Sequence, residues 1–274
     1  MQRLRLYTKE LFCRPVWIDA MKYEHNRQKY ISVQRLINTT MAKAYRTTSS
    51  EGLCILMGMT PIIIKMEEAV KHYRIKKRTG RHIFVLDNDV DFKYWPHPAD
   101  VVTIKEVTDE EASVQAYTDG SKHEQGVGSG AAIFIGEEIV AQIKLKLDSR
   151  CSNQAKQLAI VKALEAIESL NNKPISPRTA AIFTDSRVTL DSLRNVNNQA
   201  YLVEEIRRRV VSLERYKWKI TFSWVKAHVG IYGNELANRL AKEAARSNGT
   251  SIAFNRIPRS TLYYEAAEEA KKQW

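Results

Sequence analysis

The chain has 274 residues, 44% of them hydrophobic, and 43 Lys and Arg against 31 Asp and Glu leave a formal charge of +12. That apolar content suits a globular, soluble chain with a core and argues against disorder, and the positive balance favours a polyanionic partner. The amino terminus, MQRLRLYTKELF, carries charges where a signal peptide needs an apolar stretch, so an intracellular protein of cytoplasm or nucleus is expected.

In chain order, residues 1–86 are mainly helical. VQRLINTTMAKAY places Val33, Leu36, Ile37, Met41 and Ala44 near a 3.6-residue period, and KMEEAVKHYRIKKRTG runs to a helix stop at Gly80. The most apolar run, from Gly52, is broken by Pro61 and too short to cross a bilayer, so no membrane association is expected. Cys13, Cys54 and Cys151 are scattered, which fits a reducing compartment and supplies no zinc site. Residues 87–112, with Pro96 and Pro98 and no period, read as a linker.

Residues 113–246 carry the domain. SVQAYTDGS is a strand reaching a turn at Gly120, and GVGSGAAIFIG and EEIVAQIKLKL are two more, joined through Gly136 and Glu137 as an antiparallel meander. SNQAKQLAIVKALEAIESL is a helix with Ser152 and Asn153 as N-cap candidates. TAAIFTD is a strand ending in Asp185, with SRVTLDSLRNV and QAYLVEEIRRRVVSLERY helical behind it. KITFSWVK is the last strand, and GNELANRLAKEAA a closing helix. This order predicts an α/β fold, a mixed five-stranded sheet with helices on both faces, preceded by the helical segment. Asp119 and Asp185 each end a strand in a T-D-[GS] context, where open sheets of this kind gather ligands. Arg207, Arg208 and Arg209, followed by Arg215, Lys217 and Lys219 with Tyr216 and Trp218 interleaved, read either as a track for a phosphate backbone or as a solvated helix face.

AYTDGS from Ala116, SNQAKQL from Ser152, IFTDS from Ile182 and SWVKAHVGIYGNELANRLAK from Ser223 together resemble the four signatures of the ribonuclease H type 1 family. The resemblance implies endonucleolytic hydrolysis of the RNA strand of RNA–DNA hybrids, assisted by two Mg²⁺ (or Mn²⁺) ions held by four acids in the order Asp, Glu, Asp, Asp, with a loop histidine. Carried over by position, Asp119 and Asp185 are the first and third acids and the metal ligands, and His228 is the histidine. Lys156 stands where the family has Glu, and Asn238 where it has the last Asp. Gly120, Ser121, Asn153, Gln154 and Lys226, with Arg207 and Arg208, are the expected nucleic-acid contacts. For Ser121 a turn hydroxyl, and for Asn153 an N-cap, are the competing readings.

The two replacements change a site of four negative charges into one of net −1. The stem of Lys156 is expected to run along the sheet and bring its ammonium to Asp119 or Asp185, in competition with a metal ion. Impaired hydrolysis is therefore expected, and the alternative is a hybrid-binding module of the same fold without turnover. QRLINTTMAKAYRTTSSEGLCILMGMTPI resembles the segment after the reverse transcriptase palm in non-LTR retrotransposon polyproteins, and residues 247–274 resemble the extension that follows their nuclease domain. A polyprotein fragment whose parent polymerase domain is missing is the reading that follows.

Overall fold

The computed structural model describes residues 19–77, 87, 98–105, 112–198, 200–227, 229–247 and 251–274. The chain forms two compact units, Met1–Ile83 with Arg259–Trp274, and Phe84–Pro258.

In the first unit, helix α1 (Glu24–Ala42) is followed by α2 (Ser50–Met57) and α3 (Ile62–Lys77), and the carboxyl-terminal helix Arg259–Gln273 packs with α3. Ser49 caps α2 by accepting the Gly52 N–H, and Gly58, at φ 59°, ends it in the left-handed conformation. Gln34 joins α1 to the start of α3: its Oε1 accepts the Ile62 N–H and its Nε2 donates to the Thr60 carbonyl. The apolar face expected of α1 points elsewhere than the core. Leu36 is 70% exposed and Val33, Ile37 and Met41 lie at the surface, whereas Tyr30 and Ile31 pack on buried Met21, Ile63 and Met66. The helix stop at Gly80 lies outside the described residues.

The second unit is one sheet with helices on both faces. Its elements are β1 (Thr103–Lys105), β2 (Val114–His123), β3 (Gly126–Ile135), β4 (Glu138–Leu147), α4 (Ala155–Ser169), β5 (Thr179–Thr184), α5 (Arg187–Arg194), α6 (Tyr201–Arg215), β6 (Lys219–Trp224), α7 (Tyr232–Arg246) and β7 (Ile252–Phe254). The strand order is β1-β6-β5-β2-β3-β4-β7; the meander β2-β3-β4 is antiparallel and every other pairing is parallel. The five expected strands form the interior, and among the described residues the sheet has seven. The added edges, β1 and β7, are three residues long, too short to show a period, and lie in stretches 87–112 and 247–274 that read as linker and extension.

Three glycines seat the helices against the meander. A Cβ on Gly128 would lie 2.1 Å from the Ala241 carbonyl oxygen, and one on Gly130 2.3 Å from that of Ala237, so α7 rests directly on β3. On the opposite face, a Cβ on Gly120 would lie 2.7 Å from the Lys156 nitrogen, so the first turn of α4 lies on β2. Because successive residues of a strand face opposite ways, and Gly130 pairs with Asp119 while Gly120 pairs with Ser129, α7 and α4 occupy opposite faces. Backbone atoms cannot yield as side-chain tips do. Gly128→Ala is therefore expected to cost about 2–3 kcal/mol, read as a lower Tm with β-sheet content retained, whereas Gly136→Ala, whose Cβ would meet nothing, acts only through its φ of 59°.

The expected track on α6 is corrected by burial. Arg207 is 0% exposed: it pairs with Glu204 and donates to the carbonyls of Ser192, Leu193, Asn195 and Asn198, so it cannot reach a phosphate. Arg209 is engaged by Glu165, Glu168 and Glu205, and Trp218 is buried with its Nε1 donating to Asn171 Oδ1. Arg208 is exposed. The Asn153 cap is corrected as well. A 3-10 turn, Ser152–Gln154, leads into α4, so the N-cap position falls to Gln154 instead of Asn153, and Gln154 makes no side-chain cap hydrogen bond.

Candidate active site

Parallel pairing brings the two aspartates together. β2 and β5 are adjacent and in register, with Thr118 opposite Thr184, so Asp119 and Asp185 follow side by side; Asp185 lies just past the end of β5, whereas β2 does not turn at Gly120 as expected but stays paired with β3 as far as His123. The Gly120 N–H donates to Asp119 Oδ1 at 2.7 Å, and Trp224 Nε1 donates to the Asp185 carbonyl at 3.1 Å, fixing each residue from its own neighbourhood. α4, pressed on Gly120, then delivers Lys156. Its ammonium lies 2.6 and 2.7 Å from the two Asp185 carboxylate oxygens and 3.1 Å from Asp119 Oδ1. The lysine stem is only 30% exposed and both carboxylates are nearly buried.

Asn238 is also buried, on α7, and its neighbour Ala237 places its carbonyl over Gly130, the register partner of Asp119. The sheet thus carries Asp119, Asp185, Lys156 and the helix turn of Asn238 to one end. His228 lies outside the described residues, and Lys226 is exposed after β6.

Beside the ammonium opens a groove of about 510 Å³ lined by Asn153, Lys156, Gln157, Asp185, Arg187 and Thr189, among others. Asn153 is exposed there, whereas Gln154 is buried and turned away, its Nε2 donating to Asp87 Oδ2 at 3.0 Å. Ser121 and Gly120 are half-buried within β2, paired with Gly128 and Ser129 of β3. Two residues, one in the groove and one behind it, escape a reading by motif. Arg187 holds its guanidinium 4.0 Å from the Trp224 ring centroid, and its position directly after T-D-S was the available signal. Asp87 lies in a segment without any period, and nothing local marks it.

Electrostatics follows the same geometry. Burial pushes the Asp119 carboxyl above its ordinary value of 3.8; the Lys156 ammonium pulls it down and the Asp185 charge pushes it up again. Burial prevails because Lys156 spends its two shorter contacts on Asp185. Burial also works against the lysine, but Asp185 and Asp119 outweigh it and hold its pKa above 10.5. A raised native pKa means the folded chain binds the Asp119 proton more tightly than the unfolded one, so its contribution is complete below 3.8 and lost as pH rises through the native value. Asp119→Asn, which cannot ionise, is expected to gain stability over the parent between about pH 4 and about pH 7, measured as the difference in urea midpoints at the two values.

The residues present do not fit a pair of divalent ions. Among the described residues no three His, Cys, Asp or Glu side chains group to hold a metal, and the space between the two carboxylates is taken by the Lys156 ammonium. Displacing it would break charge-assisted hydrogen bonds of about 1.5–3 kcal/mol each.

The RNase H family profile matches residues 111–246. Ribonuclease HI of Synechocystis sp. is 30% identical over 156 residues, spanning 50% of this chain and 89% of that protein. The chain belongs to the ribonuclease H family. Ribonuclease H of Francisella philomiragia is 28% identical over 148 residues, 48% of this chain and 90% of its own. Among solved structures, RNase H1 from Halobacterium salinarum NRC-1 aligns over 48% of this chain and 96% of its own, with 24% identity and a TM-score of 0.37. No helix among the described residues is long and apolar enough to cross a membrane.

Proposed function

We propose that this ribonuclease H domain engages RNA–DNA hybrids and that its hydrolysis of the RNA strand is impaired. The carrying observation is the Lys156 ammonium within 2.6–3.1 Å of three carboxylate oxygens, at the place where the family keeps a glutamate. Hydrolysis in the family relies on Mg²⁺ or Mn²⁺ to activate water and neutralise the leaving oxygen. Here a tethered cation supplies charge but no open coordination position, and Asn238 offers a neutral carbonyl where an aspartate is expected. The groove, with Asn153 and Arg187 in its lining, remains open to a polyanion, and Ser121, Arg208 and Lys226 are kept as further contacts on the sequence and, for the last two, on their exposure. The same lysine favours a second reading, a binding module without turnover. On the sequence resemblances, we assign residues 1–86 to the end of a reverse transcriptase, 113–246 to its ribonuclease H domain, and the whole to an intracellular non-LTR retrotransposon polyprotein.

A labelled hybrid incubated with the purified chain and Mg²⁺ or Mn²⁺ tests this. The expected result is retention that weakens steeply with salt and only trace cleavage. Trace cleavage abolished by Asp119→Asn supports an impaired enzyme, and none at all supports the module. Vigorous cutting by the parent chain would overturn the impairment, and failure to retain hybrid at low salt would overturn the substrate class.

A further inference from the structure

We infer that Asp87, a residue outside the family-matched segment, is a positioning residue for the turn that faces the substrate groove. The inference rests on the hybrid reading above. The Asp87 carboxylate makes two divergent contacts: Oδ2 accepts Gln154 Nε2 at 3.0 Å, and Oδ1 accepts the backbone N–H of Tyr201 at 3.3 Å, the first residue of α6. Its own N–H donates to the Ile257 carbonyl at 2.9 Å, beyond the other end of the matched segment.

Around this point the same turn is held again from the carboxyl-terminal side. The Cys151 thiol donates to the Arg256 carbonyl at 3.1 Å, the Asp148 N–H to the Phe254 carbonyl at 3.0 Å, and the Arg256 guanidinium lies 3.7 Å from the Tyr201 ring centroid. The thiol is a strut, since burial pushes its pKa up to about 12. Segments on both flanks of the domain therefore converge on residues 151–154.

That turn opens directly into α4. Gln154, 3% exposed, points back to Asp87, while Asn153 on one side and Lys156 on the other line the groove. With the Gln154 amide held, the turn has one orientation and Asn153 one address. Without its acceptor, the amide becomes a buried donor with no partner, a penalty that the turn relieves by rotating towards water. Asp87 is thus assigned a part in recognising the hybrid, in which 2′-hydroxyls distinguish the RNA strand.

Full-length Asp87→Ala and Asp87→Asn, compared with the parent for binding a labelled hybrid and a DNA duplex of the same sequence, test this. Asp87→Ala is expected to lose about tenfold in hybrid affinity while duplex affinity stays within about twofold, so the preference shrinks by a similar factor. Asp87→Asn is expected to stay near the parent, because its Oδ1 still accepts from Tyr201 and its Nδ2 can donate to Gln154 Oε1 once that amide turns over. Gln154→Leu breaks the same link from the other side and should reproduce the Asp87→Ala loss even if the latter folds poorly. A lowered Tm in Asp87→Ala with the hybrid preference intact, or an intact preference in Gln154→Leu, would overturn the assignment and leave the hybrid reading standing. A parent chain that binds hybrid no better than duplex would overturn the hybrid reading, and this inference with it.

Discussion

Replacing Lys156 by Glu and Asn238 by Asp together is expected to raise hybrid cleavage in Mg²⁺ by on the order of a hundredfold or more, about 3 kcal/mol off the barrier. The first change removes a cation held by three carboxylate oxygens and adds an acid on the same turn of α4; the second adds an acid on the buried face of α7. Stability should respond in a way that activity cannot imitate. Without divalent ions the added acids crowd two nearly buried carboxylates, so the double variant should melt below the parent. Mg²⁺ should then raise its Tm with concentration, since a ligand that binds only the folded state at about 100 times its Kd contributes about 2.7 kcal/mol. The parent's Tm should hardly move, because its cation is covalently attached. A double variant whose melting ignores Mg²⁺ would mean that the four positions do not converge, whatever its activity.

The site was legible in the sequence to the extent that strand ends and helix starts were. Asp185 could be placed at a carboxyl end because its strand is an apolar run stopped by T-D; the same reading of Asp119 stopped β2 too early, since its pairing with β3 carries it on to His123, but parallel pairing in register with β5 still sets the two side by side. Lys156 could be placed because the resemblance sets it at the family's glutamate position on the first turn of α4; the structure adds that this turn lies directly on Gly120. The orientation of Gln154 was not legible. It depends on Asp87, whose partners are distant in the chain and joined to it by single hydrogen bonds. The exposure of Leu36 shows the opposite case, a clear helical period whose apolar side the unit leaves uncovered among the described residues. Arg207 is more instructive, since its burial was written in the period of α6. Val203, Ile206 and Val210 are all buried, and position 207 lies within that stripe, four after the first and three before the last. Reading three consecutive arginines as one charged run concealed that the first of them belongs to the core side.

Arg207→Met is accordingly expected to destabilise the second unit by about 3–5 kcal/mol, the range for breaking a buried ion pair and leaving the other charge behind. Glu204, 0% exposed, would be that charge. For an ordinary buried pair, replacing both partners with apolar residues removes most of the cost. Here it should not. Arg207 also donates to four backbone carbonyls, those of Ser192, Leu193, Asn195 and Asn198, and so closes the end of α5 and the loop into α6. A Glu204→Leu, Arg207→Met double variant should therefore remain roughly 1–3 kcal/mol below the parent, the cost of buried acceptors left without a donor. Urea unfolding of the three chains separates the two contributions. If the double variant recovers the parent's midpoint, the carbonyls count for nothing and Arg207 is only half of an ion pair; if it stays low, the arginine is the clamp that shapes the α5–α6 corner behind Asp185.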